Sequence, residues 1–249
     1  YVRLLPEPNL PGDLYTRENN YIGVGPASLL DNHYEFRVDW ARSEMHSLFV
    51  RLTATRSQNN AAVLWNPAVD TAARTPNPRE QLTIGNTFVL NPTFVVNVHF
   101  GAGQWREQNY SSALGFDMAE LGFPKSFTGQ LQAKAPPLVS IGTQFGLPND
   151  QFSAYNNYNL QVNASREFRS HSLKFGFSWE DSQMNWKRSF SSYFYFSNLQ
   201  TIGPDPDLRV GTAGNSMASF LAGFGSSGNA PINIHPATTD SYWAGYVQD

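Results

Sequence analysis

Residues 171 to 181 read HSLKFGFSWED, and the two interleaved sets of side chains in this stretch decide what fold the chain adopts. Leu173, Phe175, Phe177 and Trp179 fall on odd positions, and Lys174, Gly176, Ser178 and Glu180 on even ones. Successive side chains of a strand point to opposite faces, so this segment has one apolar and one polar face. In a soluble sandwich the apolar face meets a second sheet. In an outer-membrane barrel it meets lipid, and the polar face lines a lumen.

The same alternation recurs along the chain. Tyr34, Phe36, Val38 and Trp40 oppose Glu35, Arg37 and Asp39; after a turn at 41–46, Leu48, Val50, Leu52 and Ala54 oppose Phe49, Arg51, Thr53 and Thr55. This pair reads as a hairpin. A strand over Leu82 to Leu90 turns at Asn91 and Pro92 into another over Thr93 to Gly103, where Phe94, Val96, Val98 and Phe100 oppose Asn97 and His99. A proline there ends the ladder, because it has no N–H to donate. Tyr158, Leu160, Val162 and Ala164 then oppose Asn157, Asn159, Gln161 and Asn163, the chain turns through EFRS at 167–170 into the opening stretch, and SYWAGYVQD closes the sequence.

The connections between these hairpins are long: 56–80, 105–155 and 183–239. Long and short connections alternate strictly. Loops beyond about 12–15 residues are uncommon in compact domains, whereas outer-membrane barrels combine short periplasmic turns, long extracellular loops and apolar-out, polar-in strands. Turning Glu35, Arg37, Asp39 and Arg51 into a water-filled lumen costs little, while a sandwich core would have to pair four charges almost perfectly. The reading is therefore an all-β, antiparallel transmembrane barrel segment of about seven strands with long extracellular loops. Its lumen-facing polar residues are Glu35, Arg37, Asp39, Arg51, Lys174 and Glu180. A soluble β-sandwich binding module of carbohydrate type, whose polar face is simply its wet outside, stays open as the alternative.

Composition agrees with a β-rich chain. Among 249 residues, charged side chains make up 15% and aromatics 14%, with 19 Gly and 16 Pro. No apolar run approaches the roughly 20 residues of a membrane-spanning helix. The net charge of -3 and pI near 6.0 supply no basic field, so nucleic acid is not expected as a partner. No cysteine is present, which leaves the compartment unread from redox chemistry.

Motifs that resemble chemistry fail on context. GFGSSG at 223–228 fits the dinucleotide fingerprint by letters, but the NAPINIHP that follows cannot supply the helix whose N-terminus would receive a pyrophosphate. Its glycines read instead as the exit from a short helix in GNSMASFLAG, capped by Asn215 or Ser216. Asp205 and Asp207 in GPDPD have no further ligand at calcium-loop spacing, and the five histidines form no HxxxH or HExxH pair. Neither a cofactor nor an enzymatic activity is expected, and the absence of a nucleophile–base constellation disfavours a secreted β-rich hydrolase. Trp40, Trp105, Tyr155, Tyr158, Trp179, Trp186, Tyr242 and Trp243 lie near the expected strand ends, as an interfacial aromatic girdle would place them.

FRVDW and HSLFVR within 36–51, LGFP at 121–124, RSHSLKFGFSWEDSQMNW at 169–186, TAGNSMASFLAGF at 212–224 and YWAGYVQD at 242–249 resemble, in this order, segments of TonB-dependent receptors of the Oar-like branch. The resemblance implies an outer-membrane receptor and transporter with a plugged 22-stranded barrel, energised by the inner-membrane TonB complex. Its expected partners are outer-membrane lipid, the TonB complex acting through a plug, and an extracellular ligand of unknown identity captured by the long loops. The chain carries no recognisable plug, TonB box or terminal aromatic strand. It is therefore expected to be part of one barrel domain spanning 1–249, an open curved sheet with splayed loops. No family ligand contact maps onto a numbered position.

Overall fold

The computed structural model describes residues 1–14, 17–203, 213–232 and 235–249. Its strands, in chain order, are β1 (Ser28–Ser43), β2 (His46–Asn60), β3 (Ala73–Asn91), β4 (Phe94–Ser111), β5 (Leu138–Ser140), β6 (Gln144–Phe145), β7 (Asn149–Phe168), β8 (His171–Phe190), β9 (Tyr193–Tyr195), β10 (Ser227–Asn229) and β11 (Ala237–Gln248). Two short helices, α1 (Lys125–Thr128) and α2 (Ser216–Leu221), lie in the connections.

Seven strands form one antiparallel sheet in the order β1-β2-β3-β4-β7-β8-β11. The expected hairpins are all present, and their turns are tighter than the sequence reading. Glu44 and Met45 separate β1 from β2, Pro92 and Thr93 separate β3 from β4, and Arg169 and Ser170 separate β7 from β8. Asn91 braces its turn by accepting from the backbone N–H of Thr93 at 3.0 Å, and Arg169 takes the left-handed conformation at φ 56°.

The alternation becomes a two-faced wall once register is considered. Val38 is opposite Val50, Val50 opposite Ile84, Ile84 opposite Phe100, Phe100 opposite Leu160, Leu160 opposite Trp179 and Trp179 opposite Trp243. Directly opposed residues of an antiparallel pair share a face, so a continuous apolar row crosses all seven strands. The adjacent row on the other face runs Arg37, Arg51, Thr83, Gly101, Asn159, Glu180 and Tyr242. Among the described residues no second sheet covers the apolar face: Phe36 is 59% and Trp243 63% exposed. This removes the packing partner that the sandwich alternative requires.

The strands are longer than expected, reaching 20 residues each in β7 and β8. About 9–11 tilted residues cross a bilayer, so these hairpins continue well past that depth. Segments 56–60, 73–80, 105–111, 149–155, 183–190 and 237–239, assigned to loops from sequence, are strand. They carry polar residues on both faces, and strand outside hydrocarbon has no reason to alternate.

The remaining connections are not splayed. Among the described residues, 61–72, 112–148, 191–203 and 213–232 interlock with the leading segments 1–14 and 17–27 in a compact lobe at the far end of the hairpins. A second sheet, ordered β10-β9-β5-β6, runs through it. The backbone N–H of Gly146 donates to Val69 O at 2.7 Å, Leu138 N–H to Ser192 O at 2.8 Å and Ser112 N–H to Ala72 O at 3.1 Å, joining the three connections. Much of the chain's buried core lies in this lobe, including Val69, Met118, Ala135, Pro136, Ser191 and Ser192. Buried Asp70 accepts from the N–H groups of Leu64 and Trp65 through one oxygen and of Ala72 through the other. It thereby pins the 61–72 connection. Burial pushes the Tyr1 hydroxyl far above the ordinary phenol range, and burial followed by Tyr195 raises Tyr193.

Helix α2 begins as expected, with Asn215 Oδ1 accepting from Ala218 N–H at 3.0 Å. The GFGSSG glycines lead into β10 rather than a helix. Asp205 and Asp207 lie outside the described residues. Among the described residues no helix is long and apolar enough to cross a membrane, and no group of three or more His, Asp or Glu is placed to hold a metal ion.

Candidate functional site

The polar face of the large sheet carries charged, amide and aromatic side chains in successive rows. Four of the expected residues form one cluster at its β1–β2 margin. Both nitrogens of an Arg37 fork donate to Asp39, at 2.8 and 2.7 Å, and Arg51 donates to Glu35 at 2.9 Å. The Arg37 guanidinium also lies 4.5 Å from the centre of the Phe49 ring. Period two sets this geometry, since Arg37 and Asp39 are two apart on β1 and Arg37 and Arg51 are directly opposed. The pairs are open to solvent and contribute little stability; they form a fixed, balanced charge array on the wall. Lys174 and Glu180 share this face from β8 but stand apart from the cluster: Lys174 is opposite Ser165 and Gln248, and Glu180 opposite Asn159 and Tyr242.

Between these margins β7 presents Asn157, Asn159, Gln161 and Asn163 in succession, with His99 beside Gln161. Asn157 donates to Ser182 at 3.0 Å, and the Tyr246 hydroxyl donates to Asn163 at 3.2 Å. Amides offer donors and acceptors without charge, which suits a wall along which polar groups bind and release.

Farther toward the lobe, on the same face, an aromatic column replaces the amides. Trp105 and Tyr155 stack with ring centres 4.9 Å apart and planes at 21°. The Trp186 indole N–H points to the Tyr155 oxygen at 3.4 Å. The guanidinium of Arg79 lies 4.9 Å over Trp105, and that of Arg188 lies 4.8 Å over Trp186. Beside the column is a hollow of about 450 Å³ whose lining includes His33, Thr55, Arg79, Gln81, Trp105 and Tyr155. Flat rings, guanidinium groups and amides together offer stacking and hydrogen-bonding groups complementary to a molecule with an apolar face and polar or anionic edges.

This column corrects the girdle expected from sequence. Trp40, Tyr158, Trp179 and Trp243 lie on the apolar face, but Trp105, Tyr155, Trp186 and Tyr242 have the opposite parity and lie on the polar one. The strand boundaries read from sequence hide it, because Arg79, Trp105, Tyr155, Trp186 and Arg188 all fall within the expected connections 56–80, 105–155 and 183–239. Extending the odd-numbered set Asn97, His99 to Trp105, and Asn159, Asn157 back to Tyr155, would have brought the two rings onto one face.

No curated protein matches the chain. Among solved structures it is similar to the outer membrane transporter YddB from Escherichia coli, at 10% identity and a TM-score of 0.43 over 68% of this chain. The chain spans 21% of that protein's length. The family model described as an outer membrane beta barrel domain matches residues 1–249, and the chain accordingly belongs to that family of outer-membrane barrels.

Proposed function

We propose that this chain is a section of the wall of a TonB-dependent outer-membrane receptor, non-enzymatic and dedicated to ligand uptake. The apolar row from Val38 to Trp243 meets lipid. The face carrying Glu35, Arg37, Asp39, Arg51, Lys174 and Glu180 lines the lumen. The lobe and the aromatic column receive the ligand before it passes the amide-lined wall. The observation that carries this reading is the register itself, which aligns seven apolar residues across the sheet and sets a polar row immediately beside them on the opposite face. Coupling to the TonB complex rests on the resemblance of the quoted segments to receptors of the Oar-like branch.

The test uses the full-length protein in intact cells, with a photo-reactive phenylalanine analogue at Trp105. Ligand from the medium should crosslink there whether or not TonB is present, and its entry into the periplasm should stop when TonB is deleted. Entry that persists without TonB would reduce the reading to a passive channel, and failure to crosslink would remove Trp105 from the path.

A further inference from the structure

The apolar face carries a feature that uptake does not use. Arg56 is directly opposite Pro78. On the other side of β3 the paired positions are Arg79 with Trp105 and Arg74 with Tyr110, so equal counting along both strands sets Pro78 across from Arg106. The two arginines thus flank a proline, about 10 Å apart at the backbone from two strand spacings. Proline brings neither an N–H nor a long side chain, and the pairing between β3 and β4 is interrupted between Arg74 and Arg79. A hollow of about 270 Å³ opens there, lined by Leu30, Arg56, Pro76, Pro78, Glu80 and Arg106 among others.

One row closer to the turns, Glu80 pairs with Arg56 and holds it in place. Arg106 makes no ion pair among the described residues, which leaves the trio with one net positive charge. Directly below, a second hollow of about 530 Å³ is lined chiefly by Phe36, Leu52, Ala54, Leu82, Ala102 and Tyr158. The small side chains of Ala54 and Ala102 leave its floor open between larger neighbours. Glu80 borders both hollows, so a cationic step and an apolar trough form one continuous surface.

The geometry points to a seat for a phosphorylated outer-leaflet lipid, with its phosphate between Arg106 and Arg56 and its acyl chains in the trough. This rests on the reading that the apolar face meets lipid. Charge complementarity selects the occupant: an arginine fork matches phosphate oxygens two at a time, and the trough directly beneath favours an occupant that carries an apolar tail to bury.

The experiment uses the full-length barrel in neutral detergent and native mass spectrometry, with phosphatidic acid, diacylglycerol of the same chains and inorganic phosphate as probes. Phosphatidic acid should be retained about tenfold better than diacylglycerol, and Arg56→Gln/Arg106→Gln should lower its retention about tenfold, the scale of lost charge-assisted hydrogen bonds. Arg79→Gln, on the polar face, should leave it unchanged. Equal retention by the double variant, or inorganic phosphate binding as well as the lipid, would overturn the seat. A nitroxide at Val98→Cys in a bilayer separates the two claims. If it is lipid-accessible while the double variant still retains lipid, only the seat fails; if it is not lipid-accessible, the face assignment fails and the seat with it.

Discussion

The ring of Phe49 fills the space over Gly85, the residue directly opposite it on the next strand, and a Cβ at position 85 would overlap its edge. Tyr246 covers Gly176 in the same way at the far side of the sheet. A strand glycine weakens pairing unless a neighbour packs over it. Here the cover also positions Arg37 on Phe49.

Gly85→Val should therefore cost about 1–3 kcal/mol, as an overpacked site does. The heat-induced mobility shift of the full-length barrel should occur at lower temperature. Thr83→Val, on the same strand and face, should leave the transition where it is.

Charge placed on the two faces should have unequal effects. Val50→Arg, on the apolar face, should cost about 2–4 kcal/mol near the bilayer midplane, against little for Thr83→Arg on the polar face. The measurement is the fraction of heat-modifiable barrel recovered after refolding into lipid. Equal losses would show that the two faces do not differ in surroundings.

Trp105→Ala should leave barrel assembly intact and weaken ligand capture about tenfold, the order expected for losing a ring stacked on Tyr155 and covered by Arg79. Trp105→Phe should restore part of it. Binding to whole cells at several ligand concentrations distinguishes a weakened site from a lost receptor.

The lobe should loosen in alkali. The buried Tyr1 oxygen has no hydrogen-bond partner among the described residues, and burial raises its ionisation above the ordinary value. A raised group contributes stability that is complete below the unfolded value of about 10 and lost as pH rises beyond it. Tyr1→Phe should slow proteolysis of segment 1–27 above pH 10 and leave it unchanged or slower at pH 7. A smaller alkaline effect should remain from Tyr193.

Protease added to intact cells should cut within 222–232, where nearly every residue is exposed, before 133–141, which is largely buried in the lobe. Early cutting at 133–141 would mean that the lobe opens in the cell.

The strands Tyr34–Trp40, Leu82–Leu90 and Leu173–Trp179 could be read directly from sequence because lipid or a core imposes period two on them. Their continuations could not. TRSQNN at 55–60 and WREQNYS at 105–111 are polar on both faces, and Pro76 and Pro78 look like loop punctuation although β3 runs through them. Beyond the hydrocarbon, backbone pairing alone maintains the strand, and pairing leaves no composition signal. The charged cluster of Arg37, Asp39, Arg51 and Glu35 could be anticipated from spacing within one hairpin. The Arg79–Trp105–Tyr155–Trp186–Arg188 column could not, because it joins β3, β4, β7 and β8 through register.

The β7–β8 ladder pairs residue for residue from Asn149 with Phe190 to Phe168 with His171, without a slip. A bulge would have supplied a hinge, and this hairpin has none. The ladder therefore has no built-in hinge between the lobe at one end and the tight turn at the other, and a local bend in β7 or β8 would have to break its hydrogen bonds. Displacement of the lobe relative to the turns is thus expected as tilting of the whole hairpin against its neighbours rather than as flexing within it.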